Sequence, residues 1–488
     1  MGWFSRRRPR APVDPFDLAR PLFRVSDADV VTLGQACEGV LICGATGAGK
    51  TSGPGDLIAR ALLNAGAGFL VLCAKVDECA RWERLCREAG RAADFVRFGP
   101  GAPAKLDVLQ YALSMPGGSI DSAAQLLDQL ADLSNRSSGS GGDEKFWALL
   151  AAKIARRCIA IARLGVGAPT LGDVRRVLVS LPHTLEEAVS REWALTSFAG
   201  QCLAAAVDRK LTGADARLLE QCGAFVEEWA ALSEKTRSIG YTMVDNVLDR
   251  FLFGEMAELV AAGETTLSPE DVLAGKIVVL DMPVLRYRET GRFVQLAWKV
   301  QIQQRVLQRD VRENPRPVVV FADEAQFFVC PSADCMAQSV ARQARMVTVM
   351  MTQSIPLLVQ ELGGTPKAEQ EVTALLTNLQ TKVLCQNTCP VTNEAFSKLL
   401  GEHRDVLYSG SSQMGNEFDF VGDLMGATPA SSCSYSEQYR PQYPPWKFGG
   451  LSKGGPPGFA VEAVVFQGGR VWSNGSTWLV STFEQKRR

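Results

Sequence analysis

Apolar positions follow different spacings in successive parts of this chain. Near the start, two short unbroken apolar runs, residues 39–44 (GVLICG) and Gly68 to Cys73 (GFLVLC), flank a stretch at 55–64 spaced as a helix. Such runs separated by a helix predict strands buried on both faces, hence a parallel sheet covered on both sides. A helix over Glu78 to Ala89 and a short strand around Phe95 to Phe98 continue the pattern. From about Leu106 the spacing changes to three and four residues, as in Leu126-Leu127-Leu130, Leu149-Leu150-Ile154 and Phe225-Trp229-Leu232, which predicts helices as far as residue 265. Ser134 to Gly142 (SNRSSGSGG) reads as a flexible loop within them. Strand-like runs return at Lys276 to Leu280, Pro317 to Ala322, Met346 to Met351 and Thr381 to Cys385.

The expected fold class is therefore α/β, one parallel-sheet domain interrupted by an all-α insertion. Its predicted parts are an N-terminal tail (1–35), whose loose portion ends near Arg20, the first part of the sheet domain (36–105), the insertion (106–265), the second part (266–405) and a C-terminal extension (406–488). The extension is rich in Gly, Pro and Ser between about 409 and 457 and closes with strands near Phe459 to Phe466 and Thr477 to Phe483.

Composition narrows the choices. With 46% hydrophobic and 22% charged residues among 488, the chain is an ordinary globular protein. Its 52 basic and 53 acidic residues give a net charge of −1, so no global positive field advertises nucleic acid, and such a surface must be local or built by association. Thirteen cysteines are scattered singly and there are only two histidines, His183 and His403, a pattern that predicts buried reduced thiols instead of a zinc site. The longest apolar helical stretch, Phe146 to Ala168, carries Lys153, Arg156, Arg157 and Arg163, which predicts a core helix and no transmembrane segment. Trp3 and Phe4 precede Arg6, Arg7, Arg8 and Arg10 without the apolar run of a secretory signal, and read as a solvated tail.

The candidate chemistry sits at strand ends. Gly44-Ala45-Thr46-Gly47-Ala48-Gly49-Lys50-Thr51 has the spacing of a phosphate-binding loop, placed between an apolar strand and a helix. Glycines there let backbone N–H groups converge on phosphate oxygens, and the helix adds its positive end. Lys50 is expected to bridge the β- and γ-phosphates of ATP, and Thr51 to offer its hydroxyl to Mg²⁺. About 270 residues later the run Val318 to Ala322 delivers Asp323 and Glu324 at the strand end where open α/β sheets bind ligands. Asp323 is the expected Mg²⁺ partner and Glu324 the group that polarises the attacking water. Gln353 follows the next strand, where a glutamine can report the γ-phosphate. Arg342 and Arg345 lie upstream; on spacing alone they belong to a solvated helix face, although either could reach a neighbouring subunit's nucleotide.

GATGAGKT, VFADEAQ and MVTVMMTQS in this order resemble the type IV coupling proteins of conjugation and type IV secretion (the VirD4, TraG and TraD group), within the FtsK/HerA-like motor superfamily. Ala74-Lys75-Val76-Asp77-Glu78 is similar to that family's Asp-Pro-Lys-Gly-Glu segment, with Cys73 where an acidic residue is usual. Lys145-Phe146-Trp147 resembles the start of its all-α domain, and Asn393-Glu394-Ala395-Phe396 before Leu400-Gly401 its late helix. The likeness covers roughly residues 35–405. It implies a RecA-like ATPase core, with Arg342 at the family's trans-acting arginine and Gln353 at its sensor. It also implies a homo-oligomer, a hexameric ring, acting on single-stranded or relaxase-linked DNA together with secretion-channel or accessory proteins. The family's N-terminal anchor is not recognisable, so the expected location is cytoplasmic with recruitment to the inner face of the membrane. Two alternatives stand beside this motor. One is a related DNA pump for plasmid or chromosome handling or phage defence; the other is a nucleotide-switch adaptor, against which the intact Glu324 argues.

Overall fold

The computed structural model describes residues 14–135, 144–412 and 431–486. Thirteen strands are assigned among them: β1 (Pro21–Arg24), β2 (Val30–Thr32), β3 (Val40–Cys43), β4 (Gly68–Leu72), β5 (Phe95–Phe98), β6 (Ile277–Leu280), β7 (Val318–Ala322), β8 (Met346–Thr352), β9 (Thr381–Cys385), β10 (Glu402–Ser412), β11 (Ser431–Pro441), β12 (Ala460–Gln467) and β13 (Trp478–Glu484). Nine of these form one sheet in the order β13-β12-β9-β3-β8-β7-β4-β6-β5. The seven from β9 to β5 run parallel; β12 and β13 add antiparallel at one edge.

Successive residues of the parallel strands feed two cores. Leu41, Cys43, Leu70 and Leu72 face one, and Val40, Ile42, Phe69 and Val71 the other. The first core runs without interruption from the sheet into the helices between β5 and β6, taking in Ile154, Leu248 and Phe251. The second is roofed by the helices Asp56–Asn64 and Glu78–Glu88 and receives Phe23 and Val31 from the β1–β2 hairpin. Every described helix or strand between β5 and β6 is a helix, from Val108–Ser114 to Pro269–Leu273. The doubly covered parallel sheet and the helical interruption agree with the sequence. No described helix is long and apolar enough to cross a membrane.

Two expectations are corrected. Residues 21–35 are not tail: β1 and β2 pair antiparallel, and Val31 and Leu33 are buried. Strands of four and three residues are too short to show a period. The C-terminal extension, expected from 406 and rich in Gly, Pro and Ser between about 409 and 457, holds most of a long ribbon, β10 paired with β11, whose Tyr408, Tyr435 and Tyr439 are exposed, so no buried face imposes an alternation. The loop expected over 134–142 and the basic tail from Trp3 to Arg10 lie almost wholly or wholly outside the described residues.

Candidate nucleotide-binding site

The C-terminal ends of β3, β4, β7 and β8 converge on one edge of the sheet. Leaving β3, the loop Gly44–Lys50 turns at Gly47 and Gly49, both with φ of +76°, a conformation open to glycine and strained for other residues. A side chain on Gly47 would meet nothing within 4 Å, so the loop opens there onto free space, whereas one on Gly44 would stand 2.7 Å from Cys385 Cβ. Lys50 folds back over the loop and donates to the carbonyl oxygens of Gly44 at 2.7 Å and Ala45 at 3.1 Å. The helix after the loop opens with a wide turn over Thr51–Gly55, where the Gly55 N–H donates to Lys50 O at 2.8 Å. Gly53, Pro54 and Gly55 are poor formers of an ordinary helical turn, and such wide turns are frequent at functional sites.

Beneath the loop lies a support that no local reading anticipates. Strands β12 and β13 place Val461 3.1 Å from the position of a Cβ on Gly53, and Gln485 donates to the Ser52 hydroxyl at 2.6 Å. A side chain on Gly49 would run into Val461.

Opposite the loop, β7 ends in Asp323 and Glu324, 4% and 8% exposed. The Thr51 hydroxyl donates to Asp323 Oδ2 at 3.0 Å, the pairing expected of two oxygen groups that share one Mg²⁺ shell. Glu324 adopts a left-handed backbone (φ 54°, ψ 53°) that turns its carboxylate toward its neighbours. Glu324 Oε2 accepts from Gln326 Nε2 at 2.9 Å and Gln353 Nε2 at 3.1 Å, and Oε1 pairs with Lys75 at 2.8 Å. Gln353 Oε1 in turn accepts from the Thr46 hydroxyl at 2.8 Å. Thr46, Gln353 and Glu324 thus form an unbroken polar chain from phosphate loop to carboxylate. Burial opposes the charge on Glu324, but hydrogen bonds from Lys75, Gln326 and Gln353 outweigh it and hold its carboxyl below the ordinary glutamate value.

Three residues here were not singled out as site residues from the sequence. Lys75 also approaches Asp323 Oδ2, at 3.4 Å, despite Cys73 standing in its segment's usual acidic position. Gln326 completes the cage. Glu78 is 4% exposed, and burial, with the nearby charge of Asp323, pushes it up to about 8. The usable signal was position: Lys75 and Glu78 follow the C-terminal end of a parallel strand, the edge that binds ligands.

The two arginines lie at the other edge. Arg345 (φ 51°) donates to the carbonyls of Phe16 and Pro315, both at 3.0 Å, and to Asp14 at 2.7 Å, so its guanidinium is committed within the chain. Arg342 pairs with Glu38 at 2.9 Å and keeps 63% of its side chain exposed. Glu38 precedes β3 and Gly44 follows it, so the four residues of β3, about 13 Å long, separate Arg342 from the phosphate loop of its own chain.

Residues 317–449 match a family described as the TraM recognition site of TraD and TraG. Among solved structures, the chain is similar to the bacterial conjugative coupling protein TrwBdeltaN70 in an unbound form, at 16% identity over 94% of this chain and 87% of that one (TM-score 0.58). It is similar to the plasmid coupling protein TrwB in complex with ADP and Mg²⁺, at 15% identity over 94% and 87% (TM-score 0.58). With TrwB bound to the ATP analogue ADPNP the likeness is 16% identity over 95% and 91% (TM-score 0.56). No curated protein sequence matches significantly. The resemblance to type IV coupling proteins and the RecA-like core with its helical interruption are both borne out.

Proposed function

We propose that this chain hydrolyses ATP and, as a ring of identical subunits, uses the cycle to engage and move DNA, single-stranded or linked to a relaxase, in the manner of type IV coupling proteins. The observation that carries the reading is the polar chain from Thr46 through Gln353 to Glu324, which ties the phosphate loop to a buried carboxylate. A chain that only bound nucleotide would have no use for Glu324 poised in this way.

Each residue has a task in this reading. Backbone N–H groups of Gly47 to Thr51 cradle phosphate oxygens, and Lys50 exchanges the carbonyls of Gly44 and Ala45 for the β- and γ-phosphates. The Thr51 hydroxyl and the Asp323 carboxylate fit Mg²⁺, a hard cation that takes oxygen ligands and, when bound, neutralises charge on the phosphates. Glu324 accepts a hydrogen bond from the attacking water and orients it. Gln353 keeps one Nε2–H on Glu324 and turns the other toward the γ-phosphate, and so couples its presence to Glu324. Arg342, exposed at the opposite edge, is offered to the nucleotide of a neighbouring subunit.

The likeness to TrwB, a protein seen with ADP and Mg²⁺ and with ADPNP, supports the choice of nucleotide and cation. The match of residues 317–449 to the TraM recognition site of TraD and TraG supports a surface there for an accessory protein. The test is steady-state phosphate release with and without single-stranded DNA, joined to electron microscopy with an ATP analogue. Expected are DNA-stimulated turnover, its loss in Lys50→Ala, and ring-shaped particles. Turnover indifferent to DNA in a chain that stays monomeric would sink the motor reading.

A further inference from the structure

Lys75 stands apart because none of the tasks above uses it. It arrives from the turn after β4, and its ammonium lies 2.8 Å from Glu324 Oε1 and 3.4 Å from Asp323 Oδ2. Its side chain is 38% exposed, while those of Asp323 and Glu324 are 5% and 10% exposed. The cation is thus the member of the cluster with room to move.

Two further facts define what it does. First, Asp323 Oδ2, the atom Lys75 approaches, also accepts the Thr51 hydroxyl. A divalent cation gripped by Thr51 and Asp323 would therefore come close to an ammonium already there, and like charges at that range repel strongly in a shielded site. Second, Asp323 and Glu324 are adjacent carboxylates, only 4% and 8% exposed. Buried carboxylates set together need a counter-charge nearby. In this conformation the ammonium of Lys75 supplies it.

Resting on the ATPase reading above, we infer that Lys75 is a positioning residue that competes with the divalent cation for Asp323 and Glu324. It pins Glu324 while the cation is away. When the cation arrives, Lys75 yields Asp323 and loosens its hold on Glu324, which then remains attached to Gln326 and Gln353 alone. Activation of Glu324 is thereby tied to the arrival of the metal with its nucleotide.

The test uses the full chain, MgCl₂ titrated at fixed ADP, with thermal melting and calorimetric titration as readouts. Lys75→Met removes the competing charge. Expected are a lower melting temperature without ligand, recovery of that deficit at saturating Mg²⁺ and ADP, and a fall of about three- to tenfold in half-saturating Mg²⁺. Lys75→Arg should stay near the parent. Lys75→Gln keeps a donor for Glu324 without the charge, so it should melt closer to the parent yet shift the Mg²⁺ requirement in the same direction. An equal melting deficit with and without ligand, at unchanged Mg²⁺ requirement, overturns the inference, as does a raised requirement. A parent chain whose melting ignores Mg²⁺ and ADP would defeat the nucleotide-site reading as well, which separates the two failures.

Discussion

The two ends of the parallel strands carry opposite chemistry. At the N-terminal edge, guanidinium groups are spent on backbone carbonyls. Arg91 donates to Ala67 and Gly275, Arg316 to Gly66, Arg309 to Ala344, and Arg345 to Phe16 and Pro315. At the C-terminal edge, side chains bond mainly to other side chains, in the cluster of Thr46, Gln353, Glu324, Lys75, Asp323 and Thr51. A guanidinium that ends on loop carbonyls has one use, to hold the loops together. A carboxylate held by an ammonium and two amides can exchange those partners for a ligand at little cost in fold. The edges therefore differ less in charged residues than in whether their bonds can be traded. Arg342 is the exception at the first edge, with one ion pair and most of its side chain in solvent.

Arg342→Ala tests that exception and carries the largest expected effect. Turnover by the associated protein should fall about 10³-fold with the melting temperature unchanged, since a trans-acting arginine contributes on that scale. A lowered melting temperature with normal turnover would make Arg342 one more clamp. Glu324→Gln comes next: phosphate release should drop roughly 10²-fold while nucleotide affinity, read by calorimetry, stays near the parent value. Arg345→Ala should do the reverse, destabilising the chain by about 2 kcal/mol in urea unfolding and leaving turnover per folded molecule intact. A further test uses pH. Burial raises Glu78 from an ordinary 4.5 to about 8, so the folded chain holds a proton that the unfolded chain releases between those values. Stability of the nucleotide-free chain should therefore fall as pH rises through that range. Glu78→Gln should flatten this slope, matching the parent at low pH and exceeding it at pH 9.

The parts of this comparison legible in the sequence are those fixed by local spacing. Gly44 to Thr51 and the pair Asp323-Glu324 each follow an apolar run, and a run's end marks the ligand edge of a parallel sheet whatever its neighbours. The contact between Lys75 and Glu324 was not legible, because it depends on β4 lying beside β7, and strand order is not written in chain order. Nor was the different fate of Arg342 and Arg345, three residues apart: the Asp14 carboxylate and the Phe16 carbonyl that bind Arg345 come from some 330 residues upstream. For β12 and β13, the apolar spacing disclosed the strands but not their place under the phosphate loop. The β10–β11 ribbon escaped because its exposed tyrosines and Ser-rich strands have no apolar side to betray them.

The support that β12 and β13 give the phosphate loop has a consequence for synthesis. Ser52 and Gln485 touch across 433 residues. A ribosome adding about 5–20 residues per second delivers Val461 some 20–80 s after Gly49. Throughout that interval the loop has left the ribosome's peptidyl-transfer centre without the strands that will sit beneath it, and the apolar surface awaiting Val461 and Phe483 is open to chaperones. On the ATPase reading, nucleotide capture by a nascent chain is therefore expected to come late, once the C-terminal strands have docked.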